Sequence, residues 1–268
     1  MNGTADYTRR AFLTDLGRGA VALTVFGFVG CAPSGSSPSG STPSATNGQE
    51  PSGSAPPSAP PASGDASSPP ASGAGVSWER VNLGFVSAYV LARAGEAAIV
   101  DTGTAGSEGD IAAALQTLDL GWDAVGHVIL THLHNDHAGS AAAVLGQAAD
   151  ATGYAGAEDI PGISVPRPLT AVADGDRVFD LRIVTTPGHT AGHIAVLDEV
   201  GRILVAGDAL GTTGGTLAGS SPQFTEDAAA AKASIAKLGA LQFDILLVGH
   251  GDPILTGASA QVAALAAS

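Results

Sequence analysis

The sequence predicts an α+β fold, two sheets with helices on their outer faces, and three observations point to it. Beyond about residue 75, short apolar runs follow one another as neighbouring strands and also alternate with alanine-rich helical stretches. That mixture does not suit a purely parallel, doubly wound sheet. The same region holds roughly 190 residues, enough for one core and one domain. Several of its apolar runs end in glycine-flanked turns that carry a histidine or an aspartate.

The first 75 residues stand apart. Thr8, Arg9 and Arg10 precede Phe12 and Leu13, and a mildly apolar run over 20–30 ends at Cys31, the only cysteine in the chain. This is the order of a basic region, an apolar region and a cleavage site in an exported protein. The run, about 11 residues and interrupted by Gly27, is too short for a membrane-crossing helix, which needs about 20. TRRAFL resembles a twin-arginine export signal, and FVGC resembles a bacterial lipobox with Phe28 in the place of the usual leucine. The resemblance implies a bacterial lipoprotein, with a signal peptide over 1–31 and lipid on Cys31. Its expected place is the outer face of the cytoplasmic membrane, held there through the lipid anchor alone. Residues 32–75, almost entirely Ser, Pro, Gly, Ala and Thr, cannot bury enough apolar surface to fold and read as a tether. The folded domain is expected over 76–268.

Within that domain, 86–92 and 97–100 read as strands joined by a turn at Ala94 and Gly95. Residues 111–118 read as a helix, 125–130 as a buried strand, the run AAAVLGQA after Gly139 as a helix, and 151–155 as a strand. Further strands are expected over 178–185, 193–197, 203–206 and 245–248, with helices over 227–238 and 258–267. The segment 209–224, ALGTTGGTLAGSSPQF, is rich in glycine and suggests a mobile lid.

Charge narrows the function. The formal net charge is −14, and from Trp78 onward 8 Lys and Arg face 21 Asp and Glu. Such a surface repels phosphate backbones, which argues against nucleic acid as partner and leaves a small molecule as the expected substrate.

The chemistry concentrates in THLHNDHAG, residues 131–139, where three of the seven histidines and an aspartate fall within six positions. The stretch follows the apolar run VGHVIL, so it occupies the loop at a strand's carboxyl end. His132 and His134, two apart, share a face in extended chain, while Asp136 and His137 fall at the start of a helix and point elsewhere. Two neighbouring metal positions suit this spacing better than one. His189 in TPGHTAGH, Asp208 in LVAGDAL and His250 in LLVGHGDP each follow an apolar run and add one ligand apiece. Imidazoles and carboxylates in this number suit zinc, with iron or manganese as alternatives.

These residues resemble the HxHxDH signature of the metallo-β-lactamase superfamily. VDTG at 100–103, PGHT at 187–190, GD at 207–208 and GHG at 249–251 are similar to its remaining motifs, in order. The resemblance spans 78–268 and implies a four-layer αββα sandwich of the metallo-β-lactamase type, like small glyoxalase II-like hydrolases. It implies two Zn2+ ions, one on His132, His134 and His189, the other on Asp136, His137 and His250, with Asp208 bridging. Asp101 would orient the ligand loop, and Thr190 and His193 would sit behind the ligands; His127 reads as a core histidine within a strand.

The implied activity is dinuclear zinc-dependent hydrolysis of an ester, thioester, lactone or β-lactam by a metal-held hydroxide, with Asp136 and Asp208 as the catalytic carboxylates. Only 18 residues follow His250, which leaves no room for the helical domain that holds glutathione in true glyoxalase II. Aspartate at 208 excludes the β-lactamase group that carries cysteine there. No Lys or Arg lies in 209–224 to hold a substrate carboxylate, and Phe85, Tyr89, Asn135 and Phe224 are the candidate pocket residues. Two other readings fit the ligands: a mono-iron oxidoreductase of the persulfide-dioxygenase kind, and a metal-binding envelope module without turnover. The ligand pattern leaves the natural substrate and the oligomeric state open.

Overall fold

The structure, a computed structural model, describes residues 75–268. The signal-like segment, Cys31 and the tether as far as residue 74 lie outside the described residues. In chain order the elements are β1 (Ser77–Asn82), β2 (Ser87–Arg93), β3 (Glu96–Val100), α1 (Glu108–Thr117), β4 (Val125–Ile129), α2 (Asn135–Ala138), α3 (Ala141–Gln147), β5 (Thr152–Gly156) and β6 (Thr170–Val172). There follow β7 (Arg177–Val178), β8 (Leu181–Thr185), β9 (Ile194–Asp198), β10 (Ile203–Val205), β11 (Leu210–Thr213), β12 (Thr216–Gly219), α4 (Ala228–Gly239), β13 (Ile245–Leu247) and α5 (Ala258–Ala266).

Strands β1 to β6 form one sheet in sequence order, antiparallel through β3 and parallel from β3 to β6. The second sheet runs β13-β10-β9-β8-β7, and β11 and β12 form a separate hairpin. The period-two alternation of strand side chains sorts the core into three layers. Tyr89, Leu91, Ala98, Val100 and Ile129 of the first sheet face Leu181, Ile183, Ile194, Val196 and Leu247 of the second. Their sequence neighbours Val90, Ile99 and Val128 point the other way, onto Ile111 and Leu115 of α1 and Val144 and Leu145 of α3. Ala195, Leu204 and Leu246 likewise turn outward to Leu238 of α4 and Val262 of α5. Helices therefore cover both outer faces, and the fold is the expected αββα sandwich.

Two local expectations are corrected, and a third segment gains a defined shape. The strand expected over 178–185 is broken into β7 and β8, because Phe179 and Asp180 both adopt positive φ and turn the chain back on itself. The segment 209–224, read as a glycine-rich lid, contains a hairpin turned at Gly214 and Gly215, whose φ values of 57° and 80° suit the reversal that joins β11 to β12. It is also tied down, since Thr212 N–H donates to His250 O at 3.0 Å and the Ser220 hydroxyl to Asp208 O at 2.6 Å. Finally, Tyr89 does not line a pocket. It is fully buried between the sheets, its hydroxyl donates to Val248 O at 2.8 Å, and burial pushes its pKa up to about 12.

Candidate metal centre

Strands β3 and β4 of one sheet, and β8, β10 and β13 of the other, bring their carboxyl ends to a common edge. The two edges are stitched by main-chain bonds from Ile194 N to Thr131 O and from Ser87 N to Gly249 O, both 2.9 Å. Loops leaving a rigid edge are held at their roots, so the side chains they carry can be aimed. His132 and His134 follow β4, Asp136 and His137 open α2, His189 follows β8, Asp208 follows β10 and His250 follows β13. All seven candidate ligands thus meet in one place.

Their donor atoms converge in overlapping sets. His132, His134 and His189 offer nitrogens all within 4.8 Å of one another, and the donor atoms of Asp136, His137 and His250 do likewise. His132 Nε2 lies 3.0 Å, and His189 Nε2 2.9 Å, from His134 Nδ1. Bonds of about 2.0–2.1 Å to a tetrahedral zinc place ligand nitrogens about 3.3 Å apart, so a small outward movement accommodates a cation there. Asp208 spans the two sets: its Oδ2 is 3.3 Å from His189 Nε2 and its Oδ1 3.2 Å from His137 Nε2. Oδ1 is buried and makes no hydrogen bond within the described residues, an orphaned acceptor of the kind a cation satisfies.

Hydrogen bonds behind the ligands select which nitrogen faces the centre. His137 Nδ1 donates to Asp101 Oδ2 at 2.8 Å, His250 Nδ1 to Phe85 O at 2.6 Å, and His132 Nδ1 to the Thr131 hydroxyl at 3.0 Å. Each bond turns Nε2 inward as the free donor. Asp101 also accepts Thr131 N–H at 2.7 Å and the Thr131 hydroxyl at 2.8 Å, and holds a left-handed φ of 61° that places its carboxylate under the loop. His193 is buried, pairs through Nδ1 with the Thr186 hydroxyl at 2.8 Å, and accepts Asp208 N–H on Nε2 at 3.1 Å. It fixes the main chain that aims Asp208. Gly249 leaves space for that carboxylate, because a Cβ there would meet Asp208 Oδ1 at 2.3 Å and the His137 ring at 2.6 Å.

Burial is the largest influence on His132, His189 and His193 and keeps all three imidazoles neutral, His189 near about 4 and His193 near about 3. Burial also opposes a proton on His137, yet the Asp101 and Asp208 carboxylates outweigh it and raise that pKa to about 10. His250 rises to about 10 through its bonds to Asp136 and then Asp208. Asp208 stays ionised despite burial, because His137 and His250 hold it well below the usual carboxylate range. Asp136 is lowered too, first by its bond with His250. With Asp136 and Asp208 ionised and His137 and His250 protonated, the metal-free centre is close to neutral, and a bound cation would take the place of those two protons.

One residue escaped the sequence reading. Asp159 is fully buried and accepts Leu133 N–H at 3.1 Å, the Thr190 hydroxyl at 2.6 Å and Gly192 N–H at 2.8 Å. It ties the loop of His132 and His134 to the loop of His189, and it explains what Thr190 does. No motif marks it; the one hint is the acidic pair Glu158 and Asp159 in the otherwise featureless stretch AGAEDIPG. His127 lies in β4, half-buried, its ring 5.8 Å from Tyr154 and 5.5 Å from Phe179, away from the centre.

The centre opens into a cavity of about 730 Å3. Phe85, Asn135 and Phe224 line it, together with Leu210, Ala218 and Pro222 of the hairpin side.

The family description of the metallo-beta-lactamase superfamily matches residues 81–250. The chain belongs to the metallo-beta-lactamase superfamily. A hydroxyacylglutathione hydrolase of Acidiphilium cryptum is 32% identical over 179 residues, which is 61% of this chain and 63% of that protein. The chain therefore spans less than two thirds of the length of that curated relative, and the shares are smaller for others, such as 31% for a probable metallo-hydrolase of Bacillus subtilis. Among solved structures, a metallo-beta-lactamase family protein of Thermus thermophilus is similar with a TM-score of 0.57 and 25% identity, over 72% of this chain and 78% of that one. A structure solved in a di-iron-bound form is similar with a TM-score of 0.54 and 26% identity, over 66% of this chain and 93% of the other.

Proposed function

We propose that this member of the superfamily is a dinuclear metal-dependent hydrolase that cleaves an ester, thioester, lactone or β-lactam carbonyl. The observation that carries the proposal is the Asp208 carboxylate, which reaches both histidine sets: its Oδ2 lies 3.3 Å from His189 Nε2 and 3.2 Å from His250 Nε2, and its Oδ1 3.2 Å from His137 Nε2. His132, His134 and His189 would hold one cation, Asp136, His137 and His250 the other, and Asp208 would touch both. Two adjacent cations, when bound, supply Lewis acidity toward a carbonyl oxygen and acidify water toward neutral pH. Zinc suits the donor set, and the di-iron form of a structural neighbour makes iron the second metal to test.

Asp136 would carry the proton. Its carboxylate is partly exposed toward the cavity, lies 3.4 Å from His250 Nε2, and is kept ionised chiefly by that contact. It would accept a proton from the attacking water as the new carbon–oxygen bond forms. It would return that proton to the oxygen or sulfur that leaves as the old acyl bond breaks. Relatives described as hydroxyacylglutathione hydrolases and a thioesterase support acyl-transfer chemistry to water. The export signal and the lipid anchor at Cys31 complete the proposal and would place this chemistry outside the cytoplasmic membrane. A panel of esters, thioesters, lactones and β-lactams, offered to the zinc-loaded chain, tests the activity; full metal with no turnover on any member rejects it.

A further inference from the structure

We infer that the cavity selects an uncharged substrate with an apolar acyl chain, gripped between Phe85 and Phe224, and discriminates against chains that end in a carboxylate. The inference rests on the hydrolase reading and deepens it. Among the described residues only four large hydrophobic side chains are strongly exposed, and two of them, Phe85 at 62% and Phe224 at 58%, stand on this one cavity. Leu210, Ala218 and Pro222 continue the apolar wall from the hairpin. Clustered exposed aromatic surface beside convergent polar groups is the usual character of a small-molecule site, and about 730 Å3 falls in the ordinary range for one.

Both phenylalanines are placed by their surroundings. Phe85 stacks on the His250 ring, with centroids 6.2 Å apart and planes at 18°, and its carbonyl accepts His250 Nδ1–H. Phe224 ends a short turn that follows β12, where the Phe224 N–H donates to Ser221 O at 3.0 Å. The charge balance points the same way. Asp136 and Asp208 are the charged carboxylate side chains of the lining, and no Lys or Arg among the described residues lines the cavity. A remote carboxylate on a substrate chain would lose its water at an apolar wall without gaining a cation or an N–H fork in exchange.

The test uses the full-length zinc-loaded chain and pairs of 4-nitrophenyl esters that share one leaving group. Hexanoate should exceed the equally long monoadipate by about 30-fold or more in kcat/KM. Phe224→Ala and Phe85→Ala should each lower the hexanoate-to-acetate ratio by about 10-fold. Thr213→Lys, at an exposed position on the cavity wall, should raise monoadipate turnover relative to hexanoate. Equal rates on hexanoate and monoadipate, or Phe variants that leave the chain-length ratio unmoved, would overturn the inference. Saturation-transfer NMR with hexanamide against adipamic acid reads the same preference without turnover. Preferential saturation of hexanamide that weakens in Phe224→Ala supports the inference even where no ester is cleaved, so failure of the hydrolase reading is told apart from failure of this one. Equal or absent saturation of hexanamide overturns it.

Discussion

Replacing Asp159 by asparagine probes how the two halves of the centre are held together. The substitution keeps size and shape but leaves one accepting oxygen where two carboxylate oxygens receive Leu133 N–H, the Thr190 hydroxyl and Gly192 N–H. At least one buried donor must then face an amide NH2 group, at a cost of about 1–3 kcal/mol. If that cost falls on the geometry of the two ligand loops, it corresponds to roughly 5- to 150-fold in metal affinity. This agrees with the 10- to 100-fold, on the order of magnitude, typical of groups that orient metal ligands from behind. Zinc affinity is measured by chelator competition, and the stability of the metal-free chain by urea denaturation. Ile183→Val, in the buried layer between the sheets and making no bond to Asp159, supplies a stability control at about 0.5–1.5 kcal/mol. Asp159→Asn should lose zinc affinity that the control retains. A variant that is less stable but binds zinc like the wild type would show that Asp159 is only a core residue.

Three other outcomes follow. His193→Gln should keep both metals and lose about 10- to 100-fold in affinity or turnover, because His193 acts through the main chain of Asp208, whereas His189→Ala should empty the first site; equal metal loss in the two variants rejects that ranking. In metal-free protein His137 and His250 have pKa values raised to about 10, so their contribution to stability is complete below the unfolded value of about 6.5 and fades as pH rises toward about 10. Zinc must displace those protons; its affinity should therefore rise with pH across that window, and calorimetry at pH 7 should show proton release through buffer-dependent heats, where buffer-independent heats would refute it. Cys31→Ser should move the protein out of the membrane fraction while the turnover of the domain is unaltered, and unchanged membrane partition would dispose of the anchor.

What could be read from the sequence was what local chemistry writes in contiguous letters. His132, His134, Asp136 and His137 lie in one loop, and His189, Asp208 and His250 each follow a run apolar enough to be a buried strand, so their common edge could be anticipated. Which face each residue of β2 takes was not visible, because Ser87–Ala92 is buried throughout and carries no polar alternation. Nor was the hairpin of β11 and β12, because GTTGGT carries no large apolar side chain, and a glycine pair suggests mobility in sequence even where it encodes a tight reversal. Strand β1 was missed for a related reason: Ser77–Asn82 has one buried residue, Val81, and gains its place by pairing along β2. Asp159 was invisible because its role depends on three donors, 26 to 33 residues away, that only the tertiary fold brings to it.

The bridging role of Asp208 is the centre of the account, and metal analysis tests it most directly. Wild-type chain purified without added metal, then equilibrated with zinc and freed of excess, should carry two zinc ions and hydrolyse an activated ester. Asp208→Ala should hold at most one weakly bound ion and lose hydrolysis, because both histidine sets lose the carboxylate they share. Two tightly bound ions and near-normal turnover in Asp208→Ala, or full activity of the wild type with a single ion, would contradict it.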